Sequence, residues 1–211
     1  MLRSQRQILL DASAGLWEGT FIRLDGAGIE AERFPTGLEV REVDGNVEAA
    51  LTYRHTGRVA TMRFEEPPAE MEISPQGHWS LGPDKVGPWS CLTELCLVHG
   101  ERRRRVVVRH GAERLEAVVL VVEARPGIQE EAPAAPHRVR RQPAGGSREL
   151  WQLEANLQLE TTNPRLPGEP LITELRWTPE PGLVHHLQRA YGPHGLPLPQ
   201  LPALASAFRP R

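Results

Sequence analysis

The chain has 211 residues, of which 39% are hydrophobic and 25% charged, and it contains 20 prolines. This length allows one large domain or two small ones, and the composition predicts a soluble, β-rich protein with irregular segments. A formal net charge of −2 and a pI near 6.5 exclude a general electrostatic attraction to nucleic acid or to anionic membranes. The longest apolar run, residues 117–122, is far shorter than a membrane span.

A short amphipathic helix is predicted for residues 2–14, because apolar side chains recur on one side of it. Gly15 suits the left-handed conformation that ends many helices. The segment Gly15-Leu16-Trp17 then leads into a first strand over residues 18–24. We expect the helix to close one end of a β-barrel and Trp17 to be buried at its base.

Further strands follow at the short, regular spacing that is typical of an all-β barrel. Asp44-Gly45 is a strong hairpin dipeptide, and apolar and polar residues alternate in the strands that follow it. Prolines and glycines interrupt the later runs, which indicates edge strands or strands beside the barrel mouth. The strands predicted in this part of the chain are residues 38–43, 47–54, 60–64, 71–74 and 78–81.

The stretch from residue 89 to residue 125 predicts the centre of the sheet, an antiparallel meander of three strands. Its two short turns lie at residues 99–100 and 110–112. The third strand, residues 117–122, is apolar on both faces, which is typical of a strand that is buried or covered on its outer side. The sequence therefore predicts an all-β, antiparallel barrel that is able to hold an apolar ligand.

Four consecutive arginines begin the second strand of this meander, and strand geometry divides them between two faces. Arg102 and Arg104 share a face with two valines, whereas Arg103 and Arg105 share theirs with one valine and a further arginine. Because the more apolar face should be the inner one, we expect Arg102 and Arg104 inside the barrel, holding a ligand carboxylate through bidentate bonds. The alternative is a solvated stripe of arginines, since isolated buried arginines are rare.

The composition changes after residue 125. Residues 126–147 contain prolines, charges of both signs and almost no large apolar side chain, which predicts a flexible linker or long loop. Regular alternation then returns and predicts further strands. The expected organisation is residues 1–125 for the helix and main barrel, 126–147 for the linker, 148–192 for strands that close or flank the barrel, and 193–211 for a Pro-rich tail.

Two further pairs of side chains are candidate ligand contacts. Trp79 and Trp89 flank a loop rich in glycine and proline, which predicts a lid over a planar ligand. The alternative is structural packing, because tryptophan is highly buried on average. Glu174 and Arg176 share one face of a later strand; an internal face predicts a charged ligand contact, and an external face, which we favour, predicts surface groups.

Motifs for catalysis or for a resident metal are not found. The sequence has no phosphate-binding glycine loop, no nucleophile elbow and no His-Glu-x-x-His. His185 and His186 would point to opposite faces of a strand, and so would Cys91 and Cys96, which therefore cannot form a disulfide with each other. Unpaired cysteines fit a reducing compartment, so a cytoplasmic location is expected.

Three segments, GLWEGTFIRLDGAG, GHWSLGP and ELCLVHGERRRRVVVRHGAERLEAVVLVVEAR, resemble an uncharacterised cyanobacterial calycin family, which is lipocalin-like and related in fold to the S/U-type phycobiliprotein lyases. The resemblance covers residues 12–125 and resumes at residues 171–195. It implies a calycin barrel, a bilin ligand, a phycobiliprotein or other photosynthetic apoprotein as partner, and at most a chromophore lyase-like activity. Members are often longer, with two barrel-like halves, whereas the segment after residue 125 is too short here for a complete second barrel.

Three functional classes remain open at this point: a bilin-binding or tetrapyrrole-binding calycin, a fatty-acid or lipid carrier, and an assembly or interaction protein whose barrel is filled by its own side chains. The amount of unfilled space inside the barrel discriminates between them. No catalytic residue, metal or resident cofactor is expected. The predicted ligand contacts are Arg102, Arg104, Trp79, Trp89, Glu174 and Arg176.

Overall fold

The computed structural model describes residues 3–199, which form one helix and two antiparallel sheets. The helix is α1 (Gln5–Ser13). The first sheet contains β1 (Gly15–Asp25), β2 (Glu30–Val43), β3 (Asn46–Tyr53), β4 (Arg58–Phe64), β5 (Met71–Ile73), β6 (Trp79–Leu81), β7 (Cys91–His99), β8 (Arg102–His110) and β9 (Leu115–Ala124). The second sheet contains β10 (Arg140–Gly145), β11 (Arg148–Glu154), β12 (Leu157–Thr162), β13 (Leu171–Glu180) and β14 (Leu183–Tyr191).

The first sheet is a half-barrel rather than a closed barrel. Its strand order is β4-β3-β2-β1-β9-β8-β7-β6-β5, so β1 pairs with β9 at the centre and β4 and β5 lie at the two edges. The curled sheet has a concave face and a convex face. The predicted all-β, antiparallel, barrel-like fold with a short N-terminal helix is confirmed.

Helix α1 lies at one end of the concave face. The side chain of Ser4 caps its first turn, and Leu9 and Leu10 are buried against the concave face of the sheet. The helix is shorter than the predicted range of residues 2–14, and residue 2 lies outside the described part of the chain. Trp17 at the start of β1 is fully buried in the same cluster, as the sequence predicts.

Both faces of the central strands β1, β8 and β9 are covered. Their convex face packs against the second sheet in a large apolar core, and on the concave face Trp17 of β1 packs with α1. Trp151, Leu159 and Trp177 from the second sheet contribute to this core. The apolar character of both faces of residues 117–122 therefore has a structural explanation: the second sheet covers the strand from outside.

The segment predicted as a linker, residues 126–147, contains β10, which the sequence did not predict. Residues 126–139 form no strand. Val139 is nevertheless buried in the core between the sheets, and Arg138 forms an isolated antiparallel β-bridge with Ile29. The segment 140–145 is polar and mostly exposed, and its order comes from ladder hydrogen bonds to β11 at the sheet edge. Of the predicted tail, residues 200–211 lie outside the described part of the chain.

No helix within residues 3–199 is long and apolar enough to cross a membrane.

Candidate ligand-binding site

The concave face of the half-barrel forms a partly open cavity of about 300 Å³. Helix α1 bounds it at one end, strands β2, β3 and β4 form one wall, and strands β5 to β8 form the other. The walls are mainly apolar and include Leu38, Leu51, Met62 and Phe64. Such a mainly apolar cavity with a few charged groups is typical of small-molecule sites.

The floor of this cavity carries a charged cluster that we call the Arg–Glu cluster: Arg103, Arg105, Glu94 and Glu123. Oε2 of Glu123 accepts a hydrogen bond from Nε of Arg103 at 2.7 Å and another from Nε of Arg105 at 3.0 Å. Nη1 of Arg105 donates to Oε1 of Glu94 at 2.8 Å. The two arginines and two glutamates thus form a largely desolvated cluster whose net formal charge is zero.

Glu123 is the centre of the cluster and is 1% exposed. Burial alone would raise its pKa, but the positive charges of Arg103 and Arg105 outweigh burial and hold the pKa at about 2. Gly19 on the neighbouring strand makes room for this side chain, since a Cβ at Gly19 would lie only 2.5 Å from Cγ of Glu123. The cluster therefore depends on both a buried carboxylate and a glycine beside it.

Trp17 supports the cluster from the helix end of the cavity. The guanidinium carbons of Arg103 and Arg125 lie 4.3 Å and 3.9 Å from its ring centroid, within the range of cation–π contacts. Its Nε1 donates to the carbonyl oxygen of Ser13 at 2.8 Å. Arg103 is consequently held between a carboxylate and an aromatic ring.

Two buried polar atoms of cavity-lining residues have no hydrogen-bond partner within residues 3–199. They are Nη2 of Arg103 and Oγ of Ser13. Buried donors and acceptors are usually paired, because an unpaired one costs on the order of 1–3 kcal/mol. One of these unpaired atoms, Nη2 of Arg103, thus belongs to the Arg–Glu cluster.

The predicted assignment of arginines to the inner face is wrong. Arg104 points to the second sheet, where it pairs with Glu130 and Glu154 and lies 5.1 Å from the ring centroid of Trp177. Arg102 is partly exposed, and Nη1 of its guanidinium group lies 3.9 Å from Glu130. The reasoning failed because the more apolar face of β8 packs against the second sheet, so the arginine-rich face lines the cavity.

The predicted lid of two tryptophans is also not formed. Trp79 is buried and lines the cavity, opposite Cys96 in the β6–β7 pair. Trp89 is 67% exposed and lies in a different cleft, between residues 85–89 and residues 192–195. The two rings therefore belong to separate surfaces, and the loop between them is bonded to the chain after β14, where the amide of Val86 donates to the carbonyl oxygen of Gly195.

Glu174 and Arg176 lie on the outer face of the second sheet, away from the cavity. Glu174 is buried beneath its neighbours, pairs with Arg176 and lies 3.1 Å from Nε2 of His186. Burial alone would raise the pKa of Glu174, but bonding to His186 and Arg176 outweighs it and holds the pKa at about 2. This pair lies on the external face, as we favoured from the sequence, but Glu174 is buried there and is not the surface group that we expected.

A group of imidazoles lies where β7 meets β14. Nδ1 of His99 lies 3.1 Å from Nε2 of His185, and Nε2 of His99 lies 3.1 Å from a carboxylate oxygen of Glu180. Burial and, to a smaller extent, the charges of His185 and His99 together lower the pKa of nearby His78 to about 4. Within residues 3–199, no group of three or more histidine, cysteine, aspartate or glutamate side chains has the arrangement of a metal site.

The two cysteines are free, and both lie on β7. Burial raises the pKa of Cys96 to about 12, and it also raises the pKa of Cys91. Neither thiol is therefore activated as a nucleophile at neutral pH, since the thiolate is the reactive form.

Comparison with known proteins agrees with this architecture. Residues 3–128, which span the helix and the half-barrel, match the sequence model of a family described as "Domain of unknown function (DUF3598), N-terminal". The chain belongs to the DUF3598 family. The predicted resemblance to an uncharacterised cyanobacterial family is thereby confirmed at the level of the family. No curated protein matches the chain.

A solved member of the DUF3598 family shares the whole arrangement. It is a protein with unknown function from Nostoc punctiforme, and its crystal structure aligns with a TM-score of 0.76 at 17% sequence identity. The alignment covers 92% of this chain and 96% of that one. The family match ends at residue 128 and the structural match extends much further, so the fold shared with this relative includes the second sheet.

Proposed function

We propose that this DUF3598 protein is a non-enzymatic binding protein whose half-barrel cavity holds an apolar molecule that carries a carboxylate. The observation that carries the proposal is the combination of mainly apolar walls with Arg103 and Arg105 on the cavity floor. Arginine binds carboxylates in a bidentate geometry, and such bonds strengthen where water is excluded. The proposed contact with the carboxylate therefore moves from Arg102 and Arg104 to Arg103 and Arg105.

The size of the cavity favours a single acyl chain over an entire tetrapyrrole. Its volume of about 300 Å³ is at the lower end of small-molecule sites, which span roughly 300–1,000 Å³. A fatty acid is therefore our first candidate ligand. A bilin would place a propionate on the floor and leave much of its conjugated system in the open mouth between β4 and β5.

The bilin candidate keeps two lines of support. One is the calycin-like segment Gly15-Leu16-Trp17 before the buried first strand, and the other is the cyanobacterial source of the solved relative. If the ligand is a bilin, we further propose that the protein is related to the phycobiliprotein lyases and that its partner is a phycobiliprotein. We place the protein in the cytoplasm, for which the support is two unbridged cysteines.

Direct binding tests the proposal. Purified protein is titrated calorimetrically with decanoate and palmitate, and by absorbance with biliverdin. We expect saturable binding of one acyl chain per protein, and a red-shifted, saturable biliverdin spectrum if the second candidate holds. Absence of binding by all three probes would contradict the proposal and would favour the filled-barrel interaction protein.

A cavity-filling substitution locates the site. Ala60 on edge strand β4 lines the cavity, so Ala60→Trp should weaken decanoate binding about tenfold or more, since extra volume forced into a packed site costs on the order of 1–3 kcal/mol. The matched control is Val59→Trp on the same strand, whose side chain is 54% exposed. Equal effects of the two substitutions would place the ligand elsewhere.

A further inference from the structure

We infer that Glu94 is an internal substitute for the ligand's carboxylate. It pairs with Arg105 when no ligand is bound, and it is displaced from Arg105 when an acid binds. The inference rests on the proposed function and names the residue that sets the preference of the cavity for acids. Glu94 lines the cavity beside Arg105, and its Oε1 accepts a hydrogen bond from Nη1 of Arg105 at 2.8 Å.

The two glutamates of the Arg–Glu cluster differ in how firmly they are held. Glu123 binds both arginines, and its carboxylate bridges two groups of Arg105, Nε at 3.0 Å and Nη2 at 3.2 Å. The Glu123 side chain is 1% exposed, whereas the Glu94 side chain is 21% exposed and binds Arg105 through a single nitrogen. Glu94 can rotate toward water at small cost, while Glu123 would leave two buried cations without a counter-ion.

Charge balance requires such an exchange. The four side chains of the Arg–Glu cluster sum to no net formal charge, so a carboxylate that entered beside them would leave one buried negative charge uncompensated. A buried unpaired charge is strongly unfavourable. If Glu94 moves out to solvent as the ligand acid moves in, Arg105 exchanges one carboxylate for another and the balance is kept.

The same geometry predicts selectivity among ligands of equal chain length. An acid can replace the carboxylate of Glu94 on Nη1 of Arg105, but an alcohol cannot compensate the guanidinium charge and leaves Glu94 in place. Removal of the charge of Glu94 should therefore help acids alone. This distinguishes a competing carboxylate from a merely structural residue.

The experiment compares calorimetric binding of decanoate and 1-decanol to the wild-type protein and to Glu94→Gln, Glu94→Asp and Glu116→Gln. Glu94→Gln should bind decanoate about tenfold more tightly, the effect of relieving one competing charged hydrogen bond, with 1-decanol affinity unchanged. Glu94→Asp keeps the competing charge on a shorter side chain and should gain less affinity for decanoate than Glu94→Gln does. Glu116→Gln removes a carboxylate from the exposed Arg109–Glu116 pair and controls for net charge.

The outcomes separate the inference from the function on which it rests. Suppose that the wild-type protein binds decanoate, but Glu94→Gln either gains no affinity for decanoate or gains equal affinity for decanoate and 1-decanol. This result would overturn the inference and leave the proposed function standing. A gain of the same size in Glu116→Gln would reduce the effect to general electrostatics and would also overturn it. Binding of decanoate by none of the proteins would overturn both.

Discussion

Replacing Glu123 by glutamine should lower the free energy of unfolding by about 3–5 kcal/mol, because it leaves Arg103 and Arg105 buried without their shared counter-ion. Both arginines are almost completely buried, so water cannot take over the role of the carboxylate. Urea unfolding followed by circular dichroism measures the change. The loss should appear as a lower urea concentration at the unfolding midpoint, while the dependence of the unfolding free energy on urea concentration stays unchanged.

The matched control lies on the same strand. Glu116→Gln makes the same chemical change in an exposed pair, where the side chains of Arg109 and Glu116 are 58% and 44% exposed. Surface pairs contribute about 1 kcal/mol or less, so this variant should unfold almost as the wild type does. Equal losses in the two variants would show that Glu123 is not the centre of a buried cluster.

The pH dependence of the Glu123 effect has a definite sign. The pKa of Glu123 falls from its ordinary value of 4.5 to about 2 on folding, so its carboxylate stabilises the fold above pH 4.5 and loses that contribution as the pH falls toward 2. The stability difference between wild type and Glu123→Gln should therefore shrink across this window. Comparing the two proteins isolates Glu123 from other carboxyls with low pKa values, such as Glu30 and Glu174.

Trp17→Ala should destabilise the protein by about 3–5 kcal/mol, the usual cost of truncating a buried tryptophan. The indole is fully buried, donates a hydrogen bond to Ser13, and lies against the guanidinium groups of Arg103 and Arg125. Its removal opens a void between α1 and the sheet. Thermal unfolding monitored by circular dichroism measures the loss.

Trp89→Ala provides the control for this substitution. Trp89 is 67% exposed, and its replacement should change the stability by only about 0.5 kcal/mol. A small loss for Trp17→Ala, similar to that of Trp89→Ala, would contradict the place of Trp17 at the base of the half-barrel.

The fold class was predictable because strand periodicity is a local signal. Alternating residues in β2 and β3, the Asp44-Gly45 turn and the apolar run in β9 each indicate a strand or turn without knowledge of the rest of the chain. Strand β10 was not predictable, because its residues are polar and its order comes from pairing with a strand that follows it.

The candidate site was only half predictable. Alternation correctly divided the arginines of β8 into two sets, but it could not say which set faces the cavity, because both faces of β8 are buried and a distant sheet covers one of them. The sequence does contain one signal for the inner set. Glu123 directly follows the apolar run of β9, and an antiparallel hairpin with β8 places it opposite Arg103.

A crystal structure of the protein with decanoate tests the central claim most directly. We predict that the ligand's carboxylate lies about 2.7–2.9 Å from a guanidinium nitrogen of Arg105, that Glu94 has turned toward solvent, and that the acyl chain lies between Leu51 and Met62. An empty cavity at saturating decanoate, or a ligand bound outside the concave face of the half-barrel, would contradict it.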